Sequence, residues 1–444
     1  MGDLFSMRIS RLRFFGLGLG LSVLKMFLDW GVFRLFGQFW SPLIYIHPTQ
    51  APLFHPAVSG GWGLWFALWA IAAPFLLTGA WLTLRRLRDA ALPPGLVVFF
   101  FVPFANLLFF LVMSLVPGRD AGQGGAAEAP PGPVSSATAF WVAATGGAVV
   151  FLGLMAVSIG LLGAYGITLF LGAPFLSGLA AARLLARLGP GSRPALRAIS
   201  AALIAATLAT AVMIAFALEG LVCILMASPI VILLASLGAL IGSLTYRPIR
   251  PLAAGCSAAL PLLLLLDGRT GEPDIRVVTS DVVIAAQPEA VWDQVIAFPP
   301  LPPAKEWLFR AGVAAPLKAD IDGAGAGAVR HCVFSTGAFV EPVTVWSPGR
   351  ELSFSVAAQP DVLRELTLWA GPRPPHLDDY LQCVKGQFIL EPLPGGRTHL
   401  VGRTWYRLRM APEPYWGLWS DAFIHRIHMR VLNHVAMKSE KSHA

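Results

Sequence analysis

Three histidines near the carboxy-terminus are the first residues whose types and spacing suggest chemistry. His425 and His428 stand three apart, and His434 follows six residues later. On a helix the first two share a face, and neighbouring histidines on one face are a way to hold zinc. No cysteine or carboxylate completes a ligand set at fixed spacing. The simpler expectation is a row of partly exposed histidines on the polar face of a helix, with no metal. A second candidate is a charge pair. Arg330 and Glu341 fall on adjacent strand-like runs. Turned inward, they would be the polar anchor of an apolar pocket; turned outward, they form an ion pair of little energetic weight. Phe354 and Tyr406 lie on apolar strand faces and are expected as pocket walls or plain core. His376 and Tyr380 belong to the irregular stretch 361–380, which also holds Trp369, three prolines and Asp378-Asp379. Long loops in compact domains often serve as lids, which makes these two candidate ligand contacts.

Other chemistries lack their signatures. No G-x-S-x-G elbow is present for a serine hydrolase. Gly16, Gly18 and Gly20, like Gly323, Gly325 and Gly327, alternate without the spacing of a dinucleotide loop. Cys223, Cys256, Cys332 and Cys383 form no metal spacing; Cys332 and Cys383 could close one disulfide if the region is exported. No catalytic residue, metal or cofactor is therefore assigned.

The elements that must position these residues divide sharply by composition. The chain has 444 residues, 56% hydrophobic and 13% charged, against roughly 25% charged in an average soluble domain. Up to Asp267 there are 15 Lys+Arg and 7 Asp+Glu; beyond it, 18 and 18. The positive excess thus belongs to the apolar part and marks loops between spans, and the neutral remainder argues against a nucleic-acid partner. About 20 apolar residues cross a bilayer. Residues 14–36, 62–84, 95–116, two segments within 129–182, 198–218, 221–244 and the short 251–266 give seven to eight candidate spans. Arginine clusters at 8–13, 85–88, 183–197 and 247–250 agree with one cytoplasmic side only if one segment is re-entrant; Pro103 and Pro174 are the plausible breaks. Read from the last cluster, the carboxy-terminal domain lies on the non-cytoplasmic side; eight full crossings would place it inside. The Gly/Ala/Pro/Ser-rich stretch 118–138 reads as a linker between a three-span unit (1–117) and a second membrane unit (139–268). Lys25 and Asp29, four apart on the first span, should neutralise each other. Glu219 is either a proton or cation site or an interfacial residue. Gly238-x-x-x-Gly242 signals close helix packing.

Residues 269–444 read as an α+β domain. A β-branched run at 275–286 is a strand, and Gln287-Pro288-Glu289 opens a helix with proline in its first turn. A short helix near 305–310 precedes five strands of a meander at 328–336, 339–346, 351–357, 381–390 and 397–410, with turns at Ser347-Pro348-Gly349 and Pro394-Gly395-Gly396. A helix from about 415 to 438 closes the domain, with Trp416, Trp419, Phe423, Ile427 and Val431 at helical spacing. Leu400, Thr404, Tyr406 and Leu408 share one face of the last strand.

Over about 275–440 the sequence resembles the START-like or SRPBCC superfamily, the helix-grip fold of polyketide cyclase-like and pollen-allergen proteins. The resemblance rests on Ile284-Ala-Ala-Gln-Pro-Glu-Ala-Val-Trp292, Gly327-Ala-Val-Arg330, Phe334-Ser-Thr-Gly337, Glu341 and Gly395-Gly-Arg-Thr398. It implies a curved antiparallel sheet around a long closing helix, with a cavity that takes lipids, sterols, aromatic polyketides or quinones. The front of the chain, through Arg11-Leu-Arg13, Arg85 to Asp89, Pro103 and Pro117-Gly118, resembles small bacterial inner-membrane proteins of unknown function, which usually have histidine where Arg88 stands. The expectation is a multi-pass inner-membrane protein whose tethered cup binds or transfers a hydrophobic small molecule at the bilayer. Arg330, Glu341, Phe354, His376, Tyr380 and Tyr406 are its candidate contacts, and no covalent chemistry is required. Two alternatives stand beside it: a cyclase- or hydrolase-type enzyme using Glu341 with His376 or Tyr380, and a lipid transporter with the cup as receptor.

Overall fold

The computed structural model describes residues 9–40, 62–90, 92, 94–101, 105–116, 118, 135–161, 163, 165–189, 194–244, 267, 273–367, 377 and 380–441. The chain divides into two compact units, one of Met1–Gly268 with Thr367–Pro372 and one of Arg269–Leu366 with Arg373–Ala444.

The first unit is helical: α1 (Arg11–Leu35), α2 (Trp62–Asp89), a 3₁₀ segment (Pro94–Phe101), α3 (Ala105–Leu115), α4 (Ser136–Met155), α5 (Ala173–Leu188), α6 (Pro194–Ala215) and α7 (Leu221–Leu244). Six helices among the described residues are long and apolar enough to cross a membrane, which points to a membrane protein. The third expected span comprises the 3₁₀ segment and the 11-residue α3, each too short to cross alone. Pro103, most of the linker and the run 251–266 lie outside the described residues. A π-helical turn (Ala156–Leu161) ends α4 and another (Thr168–Gly172) leads into α5.

Helices α5 and α7 cross through their glycines. A Cβ on Gly178 would stand 2.0 Å from the Ala235 carbonyl oxygen, and one on Gly238 the same distance from that of Phe175. Gly238-x-x-x-Gly242 therefore does what its spacing suggests. Lys25 pairs with Asp29. Glu219 is buried and accepts the Tyr165 hydroxyl. Arg86 is wholly buried: its Nε donates to the Met113 carbonyl at 2.9 Å, and its terminal nitrogens donate to the Val116 carbonyl and to Asp89.

The second unit begins with β1 (Ile275–Ile284), α8 (Pro288–Ile296) and α9 (Trp307–Arg310). Six strands follow, β2 (Pro316–Asp322), β3 (Val329–Phe334), β4 (Gly337–Ser347), β5 (Glu351–Ser355), β6 (Leu381–Leu393) and β7 (Arg397–Leu408), and then the 29-residue α10 (Glu413–Lys441). The seven strands form one antiparallel sheet in the order β1-β7-β6-β5-β4-β3-β2. Register breaks at Pro316/Lys318, Val343/Val345 and Cys383/Lys385 are the bulges that bend such a sheet. Pro288 fits the first turn of α8, where its missing N–H has no partner to lose. Gly395 and Gly396, with φ of 81° and 70°, make the β6–β7 hairpin. Helix α10 lies on the concave face through Trp416, Gly417, Ser420, Ile424, Val431, Leu432, His434 and Val435. Leu432 and Val435 join Ile284, Val291, Val295, Leu352 and Leu400 in the core, and full burial of each such side chain stabilises by about 1.5–3 kcal/mol. A curled sheet closed by a long terminal helix is the helix-grip arrangement expected from the sequence. Strand β2 was not expected. The disulfide is corrected: Cys332 and Cys383 are free thiols.

Candidate functional site

On β3, Arg330, Cys332 and Phe334 alternate into the interior while Val329, His331 and Val333 face away. Arg330 lies directly opposite Glu341 on β4, and cross-strand partners share a face. The two are 2% and 6% exposed, so the outward surface pair is excluded. The Arg330 guanidinium donates to a Glu341 carboxylate oxygen, and its Nε donates to the Ile296 carbonyl at 3.2 Å. Three rings surround it: its central carbon is 5.6 Å from the centroid of Phe298, 5.2 Å from Phe354 and 5.8 Å from Phe388. The negative faces of aromatic rings suit a desolvated cation, and the carboxylate neutralises it. Burial pushes the Glu341 carboxyl up, against the pull of Arg330. Gly386 permits the cage, because a Cβ there would stand 2.3 Å from the Phe354 ring.

The concave face is not sealed. Cys383 pairs with Tyr406, and Gly386 with Thr404, across β6 and β7. Cys383, Phe388 and Thr404 all point towards α10, yet each keeps some exposure. Burial pushes both the Cys332 and the Cys383 thiol up to about 12, so neither is a thiolate nucleophile at neutral pH.

At the amino-terminal end of α10 the interior is held by a clasp. The Tyr406 hydroxyl donates to Asp421 at 2.6 Å, and Arg276 of β1 donates to Tyr406 (3.1 Å), Asp421 (2.7 Å) and Glu413 (3.2 Å). The guanidinium lies against Gly417, where a Cβ would approach it to 2.7 Å. Burial first, and then the bond to Asp421, raise the Tyr406 pKa. Tyr406 therefore uses its ring in the wall and its hydroxyl to pin the helix. Two turns beyond Asp421, His428 is hydrogen-bonded through Nε2 to Thr404 Oγ1 (2.8 Å) and through Nδ1 to Ser280 Oγ (3.1 Å), and Ser280 also meets His425 Nδ1 at 2.7 Å. Burial holds His428 down to about 4, so its imidazole is neutral at physiological pH.

The expected row of polar-face histidines is corrected in part. His425 is exposed, His428 is half-buried, and His434 is buried, its ring edge-on to Phe298 at 6.1 Å. Residue 434 falls on the face of Val431 and Val435, which the histidine spacing alone does not reveal. The structure thus brings Arg330, Glu341 and Phe354 together and sets Tyr406 in the same concave face. His376 lies outside the described residues. Tyr380 is half-buried just before β6, its carbonyl accepting from the Arg409 amide at 2.7 Å. The start of the 361–380 segment is tied down, with Ala314 donating to the Val362 carbonyl and Arg364 to that of Gly312. Sequence reasoning placed Thr404 on the shared face without a role and missed Phe298, Phe388 and Ser280. The strand alternation that marks Leu400 and Tyr406 also marks Thr404, and the same test applied to β1 finds Ser280.

No family model matches the chain, and no curated protein matches it. Solved structures do. A Thalictrum flavum norcoclaurine synthase point mutant in complex with a transition-state analogue is 12% identical, with a TM-score of 0.27, covering 39% of this chain and 100% of its own. The Zhui aromatase/cyclase from Streptomyces sp. R1128 is 15% identical, with a TM-score of 0.25, covering 38% and 97%. The di-domain aromatase/cyclase BexL of the BE-7585A biosynthetic pathway is 14% identical, with a TM-score of 0.25, covering 44% of this chain and 59% of its own. Likenesses at these scores carry no argument about function. The helix-grip description of residues 275–441 rests on this chain's own strand order and closing helix.

Proposed function

We propose that the carboxy-terminal domain is a receptor for a hydrophobic, aromatic-bearing small molecule, held beside the bilayer by the helical unit so that ligand and lipid phase stay close. The observation that carries this reading is the Arg330–Glu341 pair, buried within three phenylalanine rings on the concave side of the sheet. Ion pairs are expensive to bury and are often replaced by apolar residues without loss of stability; this one sits where a pocket needs its few polar groups. The pair is neutral overall and favours a ligand without net charge, whose oxygen takes a guanidinium N–H while its rings stack on Phe354 and Phe388. Tethering raises the effective concentration of the cup beside lipid-soluble molecules.

The test is mass spectrometry of organic extracts from the full-length protein purified in detergent, beside a variant carrying Arg330→Met and Glu341→Leu. The expected result is an apolar molecule at near-stoichiometric amount with the native chain and its loss from the double variant. Extracts that match an unrelated membrane protein prepared in parallel would sink the reading.

A further inference from the structure

The hydrogen-bonded run Thr404–His428–Ser280–His425 is used by nothing described so far, and it passes through a buried hydroxyl. Its outer end, His425, is exposed; Ser280, the next link, is 2% exposed; His428 and Thr404 are half-buried on the concave side. All three links are short enough for proton transfer, at 2.7, 3.1 and 2.8 Å. Its inner end reaches the aromatic cage, because Thr404 pairs with Gly386, over which the Phe354 ring lies. Every member is both donor and acceptor: each hydroxyl has one proton and lone pairs, and each neutral imidazole has one N–H and one bare nitrogen.

We infer that these four side chains form a proton relay between solvent and the interior of the cup, serving a ligand with an exchangeable proton such as a phenol, a quinol or an enolisable ketone. One passage balances as follows. Water delivers a proton to His425 Nε2. His425 passes its Nδ1 proton to Ser280 Oγ, whose own proton goes to His428 Nδ1. His428 gives up its Nε2 proton to Thr404 Oγ1, and the Thr404 proton goes to a phenolate or enolate oxygen. Each relay group ends with the protons it began with, and one proton has crossed from water to ligand.

The arrangement couples the two imidazoles through a single hydroxyl. When His425 is an imidazolium, its Nδ1–H donates to Ser280, and the serine proton must then point at His428 Nδ1. His428 is thereby confined to the Nε2–H form, donating to Thr404. With His425 neutral, Ser280 can donate to it instead and accept from His428 Nδ1–H. The surrounding charges are already engaged. Arg276 of β1 and Asp421 of α10 hold each other, Asp281 of β1 and Glu391 of β6 meet His399, and Tyr406 of β7 donates to Asp421. Arg430 of α10 donates to the Pro302 carbonyl, and the Cys383 thiol of β6 is neutral. The relay rests on the receptor reading only for the molecule at its inner end.

The test needs no ligand, so its failure and that of the receptor reading are distinguishable. Full-length protein with ring-15N histidine is titrated by NMR in detergent between roughly pH 5 and 8, with resonances assigned through His425→Ala and His428→Gln. The expected result is that the His428 proton moves from Nδ1 to Nε2 as His425 takes up its proton. In Ser280→Ala the two rings should become independent. Should that variant not fold, His425→Ala, at an exposed position, should leave His428 in one tautomer throughout. A His428 tautomer that stays constant while His425 titrates, or one that still switches in His425→Ala, would overturn the relay.

Discussion

Each unit buries an arginine, and the two are held in opposite ways. Arg86 sits between α2 and the end of α3, where its donors meet the Met113 and Val116 carbonyls and Asp89. Those carbonyls are the acceptors a helix leaves unmatched at its carboxy-terminus, where a cation is also favoured by the dipole. Arg86 is thus fully explained as a fastener between helices. Arg330 meets a carboxylate, one carbonyl and three ring faces, and closes no helix end. The same residue type at the same burial ties two helices together in one unit and pairs with a carboxylate inside an aromatic cage in the other. What distinguishes them is the surroundings: two carbonyls at a helix end for Arg86, and three aromatic rings for Arg330.

The sharpest way to break this comparison is Arg330→Met alone. It strands Glu341 without its partner and should destabilise the domain by about 3–5 kcal/mol, measured by denaturant unfolding of the full chain in detergent. Adding Glu341→Leu should restore most of that loss; a double variant no more stable than the single would show that the pair is needed for folding. The next effect is set by pH. The folded pKa of His428 lies near 4, below the 6.5 of the unfolded side chain, so the unfolded chain takes up the proton more readily. Stability should be full above about pH 6.5 and fall as pH drops towards 4, by up to about 3 kcal/mol. His428→Gln should flatten that slope in melts recorded across the range.

Two glycines sharpen the contrast between the units. In Gly178→Ala the new Cβ meets the Ala235 carbonyl of a neighbouring helix, which cannot step aside. A loss of about 1–3 kcal/mol is expected in thermal melts. In Gly386→Ala its nearest neighbours are atoms of the Phe354 ring, which can rotate, so stability should change less while ligand retention falls. The smallest effect belongs to His399, whose pKa is raised by hydrogen bonds to Glu391 first and then Asp281. It stabilises the fold at pH below its unfolded value, and the contribution disappears as pH rises through the folded value. For a pair this exposed, His399→Gln should shift stability by no more than about 1 kcal/mol.

Much of this was legible in the sequence, and the reasons are local. Tyr406 and Leu400 declare their face by alternation, Pro288 and Glu289 announce α8, and Gly238-x-x-x-Gly242 announces the α5–α7 crossing. Arg330 and Glu341 could be placed opposite each other, but not turned inward, because pairing sets which residues share a face and only the whole curved sheet decides which face is covered. The cage required Phe298 and Phe388, far apart in sequence, to converge on one guanidinium. The third candidate span has the length and hydropathy of a crossing, and neither property announces that it is built of a 3₁₀ segment and a short helix.

Strand β2 escaped notice for a reason that also defends it. It lies at the end of the strand order; part of its outer ladder is taken by Phe298, which exchanges hydrogen bonds with Ala319, and by Leu301, which donates to the Leu317 carbonyl, and charged residues guard that margin. Lys318, Asp320 and Asp322 occupy it, with Lys318 and Asp320 joined at 2.7 Å. Charges of both signs along such a margin make it a poor template for a stranger's backbone. The residues that spoil the hydrophobic rhythm are therefore the ones that, with the 298–301 segment, keep the sheet's margin from zipping onto its own kind.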